Sequence, residues 1–252
     1  MHALALVVFF GLGAILASFV GVVAARLNTG MPILSGRSRC DACDKVLEPR
    51  ALMPIFSYFL SGGRAFCCGA RLSPLAPFSE LLLGALFALS YNNLGLKWPL
   101  LFFLIALALL VALVLYDLAH QILPTSLLSA FVLTTIAFAL VNTSTSAPLS
   151  ASLMLAGSLA LLLALIHLFS RGRFMGLADA PFVFGLALLA GPLAFSGFLY
   201  SFWIGAIIGL VILAKRPAGH RMGVEVPFAP YLAAGFLLAI FTGWNLFTLI
   251  GP

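Results

Sequence analysis

Residues Trp98–Tyr116 read WPLLFFLIALALLVALVLY, and the residue that follows them is Asp117. The run carries no charge and is close to the roughly 20 apolar residues a helix needs to cross a bilayer. A chain in hydrocarbon must satisfy its own N–H and C=O groups, and a helix does this within one segment. Working outward, further apolar runs occupy residues 4–25, 76–93, 122–141, 150–169, 180–197, 199–214 and 228–249. The expected fold is therefore an all-α integral membrane protein, a polytopic bundle of about eight transmembrane helices with one small cysteine-containing loop. In chain order this gives a first transmembrane helix over 1–25, a polar loop over 26–75 and a core of about seven helices over 76–252.

Composition supports the same reading. The 252 residues are 63% hydrophobic and 8% charged, far from the roughly 25% charged residues of soluble domains. The run at 4–25 has no basic region ahead of it and is longer than a signal-peptide core, so it reads as a retained span. Thirteen Lys and Arg outnumber seven Asp and Glu. Nucleic acid is excluded as the partner, because phosphate binding needs a clustered polar surface that this chain lacks.

The basic excess is instead a topological signal, since positively charged loops stay in the cytoplasm. If the first span runs outside to inside, Arg26, Arg37, Arg39, Lys45, Arg50, Arg64, Arg71, Arg171, Arg173, Lys215, Arg216 and Arg221 share one face. Only Lys97 falls on the other. The opposite face has short loops at 94–97 and 142–148 and an expected tight turn near Ser196-Gly197.

Acids are scarce enough to be weighed singly. Asp117 closes the third span, where the negative end of its own helix disfavours a carboxylate by about 0.3–1 kcal/mol. Asp179 opens the sixth span with Pro181 two residues on, which suits a helix N-cap. Both belong to the cytoplasmic level of the expected bundle, on different helices. Two close carboxylates do not readily ionise together, so one donates a proton while the other accepts one from water. That is the chemistry of an aspartyl protease.

Asp117-Leu-Ala-His-Gln-Ile-Leu-Pro124 and Gly176-Leu177-Ala178-Asp179 resemble the two catalytic motifs of the type IV prepilin peptidases, the leader peptidase/N-methyltransferases of the GxGD type. The resemblance extends through Leu12–Val20 with Arg26-Leu27, then Ser35–Cys43, Met53–Tyr58, Gly63-Arg64 and Cys68-Gly69-Ala70. Pro77–Leu82 and Pro227–Ala233 complete the order. It implies a multi-pass protein of a bacterial-type inner membrane with Asp117 and Asp179 catalytic on the cytoplasmic side. The implied partners are prepilin or pseudopilin substrates, whose leader is cleaved, and the lipid bilayer. S-adenosylmethionine is implied only if N-methylation of the new N-terminus is retained. Ala178 stands where the family has its second glycine, and an added methyl is a concern if that position needs a positive φ.

Cys40, Cys43, Cys67 and Cys68 are all confined to the polar loop. Their grouping points to a structural zinc site, with a weaker three-cysteine site and free thiols as the other readings. Disulfides are disfavoured in a cytoplasmic loop. Aligned to the family's two Cys-x2-Cys pairs, Ala65 occupies the third ligand position and Cys67 is an addition.

Glu80 is expected just inside the second span, either holding the substrate's basic leader or N-terminal amine, or meeting headgroups or Arg71. His120 reads as an interfacial residue in a short loop and His167 as a hydrogen-bonding residue facing the bundle. His220 and Glu225 read as part of a solvated loop. Gly11, Gly13, Ala17, Gly205, Ala206 and Gly209 read as close helix contacts. Two other functions compete: a weakened or inactive relative that binds pilin-like helices, and an ion-coupled carrier, which predicts an internal repeat and mid-bilayer acids that are absent.

Overall fold

The structure, a computed structural model, describes residues 2–30, 32, 37–40, 42–142, 148–173, 175–215 and 227–246. Ser35, Gly36, Asp41, Arg216, Arg221, His220 and Glu225 lie outside the described residues, as do most of the 142–148 loop and the last part of the run ending at 249. The described chain is helical, with two isolated β-bridges and no strand. Its helices are α1 (His2–Arg26), α2 (Phe56–Leu60), α3 (Leu75–Leu94), α4 (Trp98–His120), α5 (Thr125–Val141), α6 (Leu149–Ser170), α7 (Asp179–Ala190), α8 (Ala194–Lys215) and α9 (Ala229–Thr242). Five segments are long and apolar enough to cross a membrane when α7 and α8 are taken as one stretch, and α5 and α9 are shorter apolar helices. The protein is an all-α polytopic membrane protein.

The chain forms two compact units, residues 1–96 and 97–252. In the first, α1 and α3 run antiparallel around small residues. A Cβ on Gly13 would stand 2.6 Å from the Leu83 carbonyl oxygen, and one on Gly84 would meet the Phe10 carbonyl at 2.9 Å. Ala17 is buried in the same seam, whereas Gly11 has nothing near its Cβ direction. At the far end Phe9 stacks on Tyr91 with centroids 4.6 Å apart.

In the second unit, Phe131 of α5 is fully buried against Phe182 of α7, with centroids 5.6 Å apart. A Cβ on Gly185 would fall 2.5 Å from the Phe131 ring, so glycine permits that approach. Helices α8 and α9 are antiparallel: Gly197 faces Phe236, the Ser201 hydroxyl donates to the Leu232 carbonyl at 3.0 Å, and Gly205 faces Phe228 and Tyr231. Gly235 is closed in by the Ser201 backbone. Hydroxyl-to-carbonyl bonds and small residues are what hold helices together where lipid supplies no hydrophobic drive. Gly205 thus fits the small-residue expectation, but Gly209 has nothing within contact range.

Two expected boundaries move. The turn expected near Ser196-Gly197 lies at Gly191-Pro192-Leu193, a 3-10 turn in which Gly191 takes φ 54°. Proline cannot continue the α7 hydrogen-bond ladder and glycine accepts the left-handed conformation, so the chain reverses there. Helix α4 continues to His120, so that histidine ends a helix instead of sitting in a loop, and its ring packs at a tilt against Tyr116 one turn earlier.

Candidate active site

Asp117 sits in the last turn of α4 and is buried. The discomfort of a carboxylate at its own helix C-terminus is relieved from outside. Its Oδ2 accepts the backbone N–H of Ala229 at 3.2 Å, and Ala229 is the first residue of α9. First-turn N–H groups have no partner within their own helix and lie at its positive end. The motif Pro227–Ala233 thereby gains a physical role that its sequence did not disclose.

Asp179 is also buried, but its capping differs from the expectation. It is the first residue of α7, Ala178 occupies the cap position, and no side chain caps that end. The Asp179 Oδ2 instead accepts the upstream Gly176 N–H at 3.1 Å. Ala178 has φ −66° and ψ −19°, ordinary right-handed backbone that any residue adopts. The added methyl therefore meets no conformational objection.

The two aspartates line one cavity of about 350 Å³ together with Gln121, Gly176, Ala178 and Phe228. Met175 also borders this cavity, and its carbonyl lies 2.8 Å from Nδ1 of His167 on α6. A carbonyl only accepts, so Nδ1 carries the proton. The His167 ring also lies against Gly172, whose Cβ direction ends 3.3 Å from it. The expected hydrogen-bonding histidine thus braces the turn that leads into Asp179, a partner separated from it by a glycine turn and invisible to helical spacing.

Glu80 is buried within the first unit. Its Oε2 accepts the Ile55 N–H at 2.7 Å and its side chain is hydrogen-bonded to Ser18. Ile55 is the centre of a γ-turn, with φ 63°, ψ −55° and a Phe56 N–H to Pro54 carbonyl bond of 2.6 Å. That conformation is strained for a β-branched residue, and the Glu80 carboxylate holds it. Neither ion pair of the described residues involves Glu80.

The cysteine loop contains two matching turns. In one, Cys40 N–H bonds the Lys45 carbonyl, Asp44 N–H bonds Cys40 and Leu47 N–H bonds Ser38. In the other, Ala65 bonds Ala70, Gly69 bonds Ala65 and Leu72 bonds Gly63 in the same pattern at the same offset. Asp44 and Gly69 share positive φ, at 55° and 71°. Cys43 therefore corresponds to Cys68, and Cys40 to Ala65, in agreement with the expected alignment. Cys67 fills the gap from the neighbouring position. All four Sγ atoms lie within 4.8 Å of one another, with Cys40–Cys68 at 3.7 Å, Cys43–Cys67 at 3.3 Å and Cys67–Cys68 at 3.9 Å. Tetrahedral zinc with bonds of about 2.3 Å places its sulfurs about 3.8 Å apart, so the donor set fits that metal. The N–H groups of Ala42 and Cys43 lower the Cys40 thiol to about 7, while the Cys43 and Cys40 sulfurs raise Cys67 to about 12.

Residues 12–94 match the family model described as Bacterial Peptidase A24 N-terminal domain. Across 244 residues the chain is 30% identical to the prepilin leader peptidase/N-methyltransferase of Bacillus subtilis strain 168, covering 94% of each protein. It is 29% identical over 273 residues to that of Dickeya chrysanthemi, covering 93% of each. It is 37% identical over 121 residues to that of Myxococcus xanthus, covering 48% of this chain and 36% of the relative. No solved structure matches the chain.

Proposed function

The chain belongs to the prepilin leader peptidase/N-methyltransferase family, and from that premise we propose that it is an aspartyl endopeptidase of a bacterial inner membrane. Its substrates on this reading are prepilins or pseudopilins, cut on the cytoplasmic side where the basic loops collect. The observation that carries the reading is the cavity of about 350 Å³ lined by both Asp117 and Asp179.

In the proposed reaction a water lies between the two carboxyl groups, one of which carries a proton. The ionised partner takes a proton from the water as its oxygen attacks the scissile carbonyl carbon. The protonated partner gives its proton to the carbonyl oxygen. Collapse of the tetrahedral intermediate breaks the C–N bond, and the amine leaves with a proton returned from the dyad. Ala229 and Gly176 hold one oxygen of each carboxylate by backbone N–H groups. Each carboxylate is thereby held in place by a backbone donor. A multi-pass bundle suits such a reaction, since irregular backbone at membrane depth is tolerated where it borders a cavity.

Cys40, Cys43, Cys67 and Cys68 would hold a structural zinc that closes the polar loop, leaving no open coordination position for catalysis. N-methylation belongs to the same reading through the relatives' names, with S-adenosylmethionine as donor. Glu80 is assigned to support of the loop, since its carboxylate already has internal partners. The test is cleavage of a prepilin-like peptide in proteoliposomes by wild type, Asp117→Asn and Asp179→Asn. Loss of cleavage in both, with the chain still folded, supports the dyad, and full activity in either rejects it.

A further inference from the structure

The first unit contains a short apolar helix at an unexpected depth. Glu80 lies about one and a half turns into α3, and its partner Ser18 lies about two turns, or roughly 12 Å, short of the end of α1. The Ile55 N–H reaches Glu80 at 2.7 Å, so the start of α2 is level with the interior of the α1–α3 pair. Yet Phe56, Phe59 and Leu60 of α2 are 64%, 67% and 75% exposed. Met53 and Phe78 are exposed as well. Large apolar side chains displayed at that level are accounted for by lipid, whereas in water they would form an unusually large apolar patch.

A second observation sits beside it. Arg64 and Arg71 face each other in an antiparallel bridge flanked by the Leu72-to-Gly63 and Ala65-to-Ala70 hydrogen bonds. This is the closer kind of cross-strand pair, with both side chains on one face, and like charges placed so are destabilising without a counter-ion. Both arginines are exposed. Among the described residues the loop's ion pairs are Arg39–Asp44 at 3.0 Å and Arg50–Glu48 at 2.7 Å, and neither serves this pair. The bridge follows α2 after one glycine turn and ends shortly before α3. It therefore stands where a membrane's headgroups meet the chain.

We propose that α2 is an interfacial helix inserted in the leaflet at the loop end of α1 and α3, and that Arg64 and Arg71 together grip the phosphate of an anionic lipid there. Apolar side chains enter the acyl region and adjacent cations meet the headgroup, the arrangement that anchors interfacial helices. Arginine suits the role because its planar fork matches a phosphate oxygen pair.

The insertion is tested with Phe59→Trp in a chain whose Trp98, Trp203 and Trp244 are replaced by Phe, reconstituted in phosphatidylcholine nanodiscs with or without dibrominated acyl chains. Blue-shifted emission quenched by the brominated lipid is expected, and water-exposed, unquenched emission overturns insertion. Hydroxyl-radical footprinting of the unaltered chain gives the same contrast should that background fail to fold, with Phe56 and Phe59 expected to be protected. For the headgroup, native mass spectrometry measures phosphatidylglycerol retained from mixed phosphatidylglycerol and phosphatidylcholine nanodiscs. Arg64→Gln with Arg71→Gln is expected to lower its enrichment by about fivefold per arginine, while Arg64→Lys with Arg71→Lys, which keeps the charge but not the fork, falls between that variant and wild type. Equal retention by the Gln pair and wild type overturns the headgroup site, and so does loss in the Lys pair as complete as in the Gln pair. Neither readout depends on peptide cleavage, so the outcome is separate from that of the proposed function.

Discussion

The Asp117 carboxylate at the end of α4 accepts the backbone N–H of Ala229 at the start of α9, 3.2 Å away. Asparagine at 117 keeps an oxygen acceptor for that N–H and loses the ionisable carboxyl group. Asp117→Asn is therefore expected to retain its melting temperature in detergent while cleavage falls by about 10²–10⁴-fold or more. Asp179→Asn, which still accepts from Gly176, is expected to behave alike.

His167 touches Met175 and the Gly172 turn. Its expected effect is on geometry. His167→Ala should lower kcat by about 10²-fold, the effect of displacing a reacting group by roughly 1 Å, with KM nearly unchanged. Asn places an N–H donor as many bonds from Cβ as Nδ1, so His167→Asn should recover most of the loss. An unchanged kcat in the alanine variant would show that the turn holds without the ring.

The relocated ligand predicts an exchange. Cys67→Ala should weaken zinc retention by more than the roughly 10–100-fold caused by losing an outer hydrogen-bond partner of a ligand. Adding Ala65→Cys to that variant restores the position equivalent to Cys40 and should restore zinc content, measured by elemental analysis of purified protein. Unchanged zinc retention in Cys67→Ala would remove Cys67 from the ligand set.

Glu80 separates acceptor from charge. Glu80→Gln retains an oxygen for the Ile55 N–H, whereas Glu80→Ala leaves that donor without its partner at about 1–3 kcal/mol. The alanine variant is expected to expose the polar loop to limited proteolysis before the helices unfold, and the glutamine variant to resemble wild type. Equal protease resistance in all three chains would show that the γ-turn stands unaided.

Much of this architecture is readable from residue order because hydropathy reports directly on lipid exposure. The run from Trp98 places α4, and its end places Asp117 within about one turn. The turn after α7 escaped because Gly191 and Pro192 lie inside a continuous apolar run, where local backbone chemistry and not hydropathy decides the reversal. The contact between Asp117 and Ala229 joins residues far apart in sequence, and no periodicity encodes it. The same holds for Glu80 and Ile55, whose pairing exists only once α3 and the loop have folded together. The correspondence of Ala65 with Cys40 was legible because flanking glycines fix the alignment, but that Cys67 swings into the vacancy is a matter of side-chain direction.

That difference separates the fold of the turn from the donor it carries. The second turn has exchanged which residue carries a donor while keeping every backbone hydrogen bond of its counterpart. The fold of the turn does not depend on which of its residues carries the donor, as long as the sulfurs converge. A search for paired Cys-x2-Cys motifs would pass over this chain, whereas a search for the two turns with their left-handed residues at Asp44 and Gly69 would retrieve it.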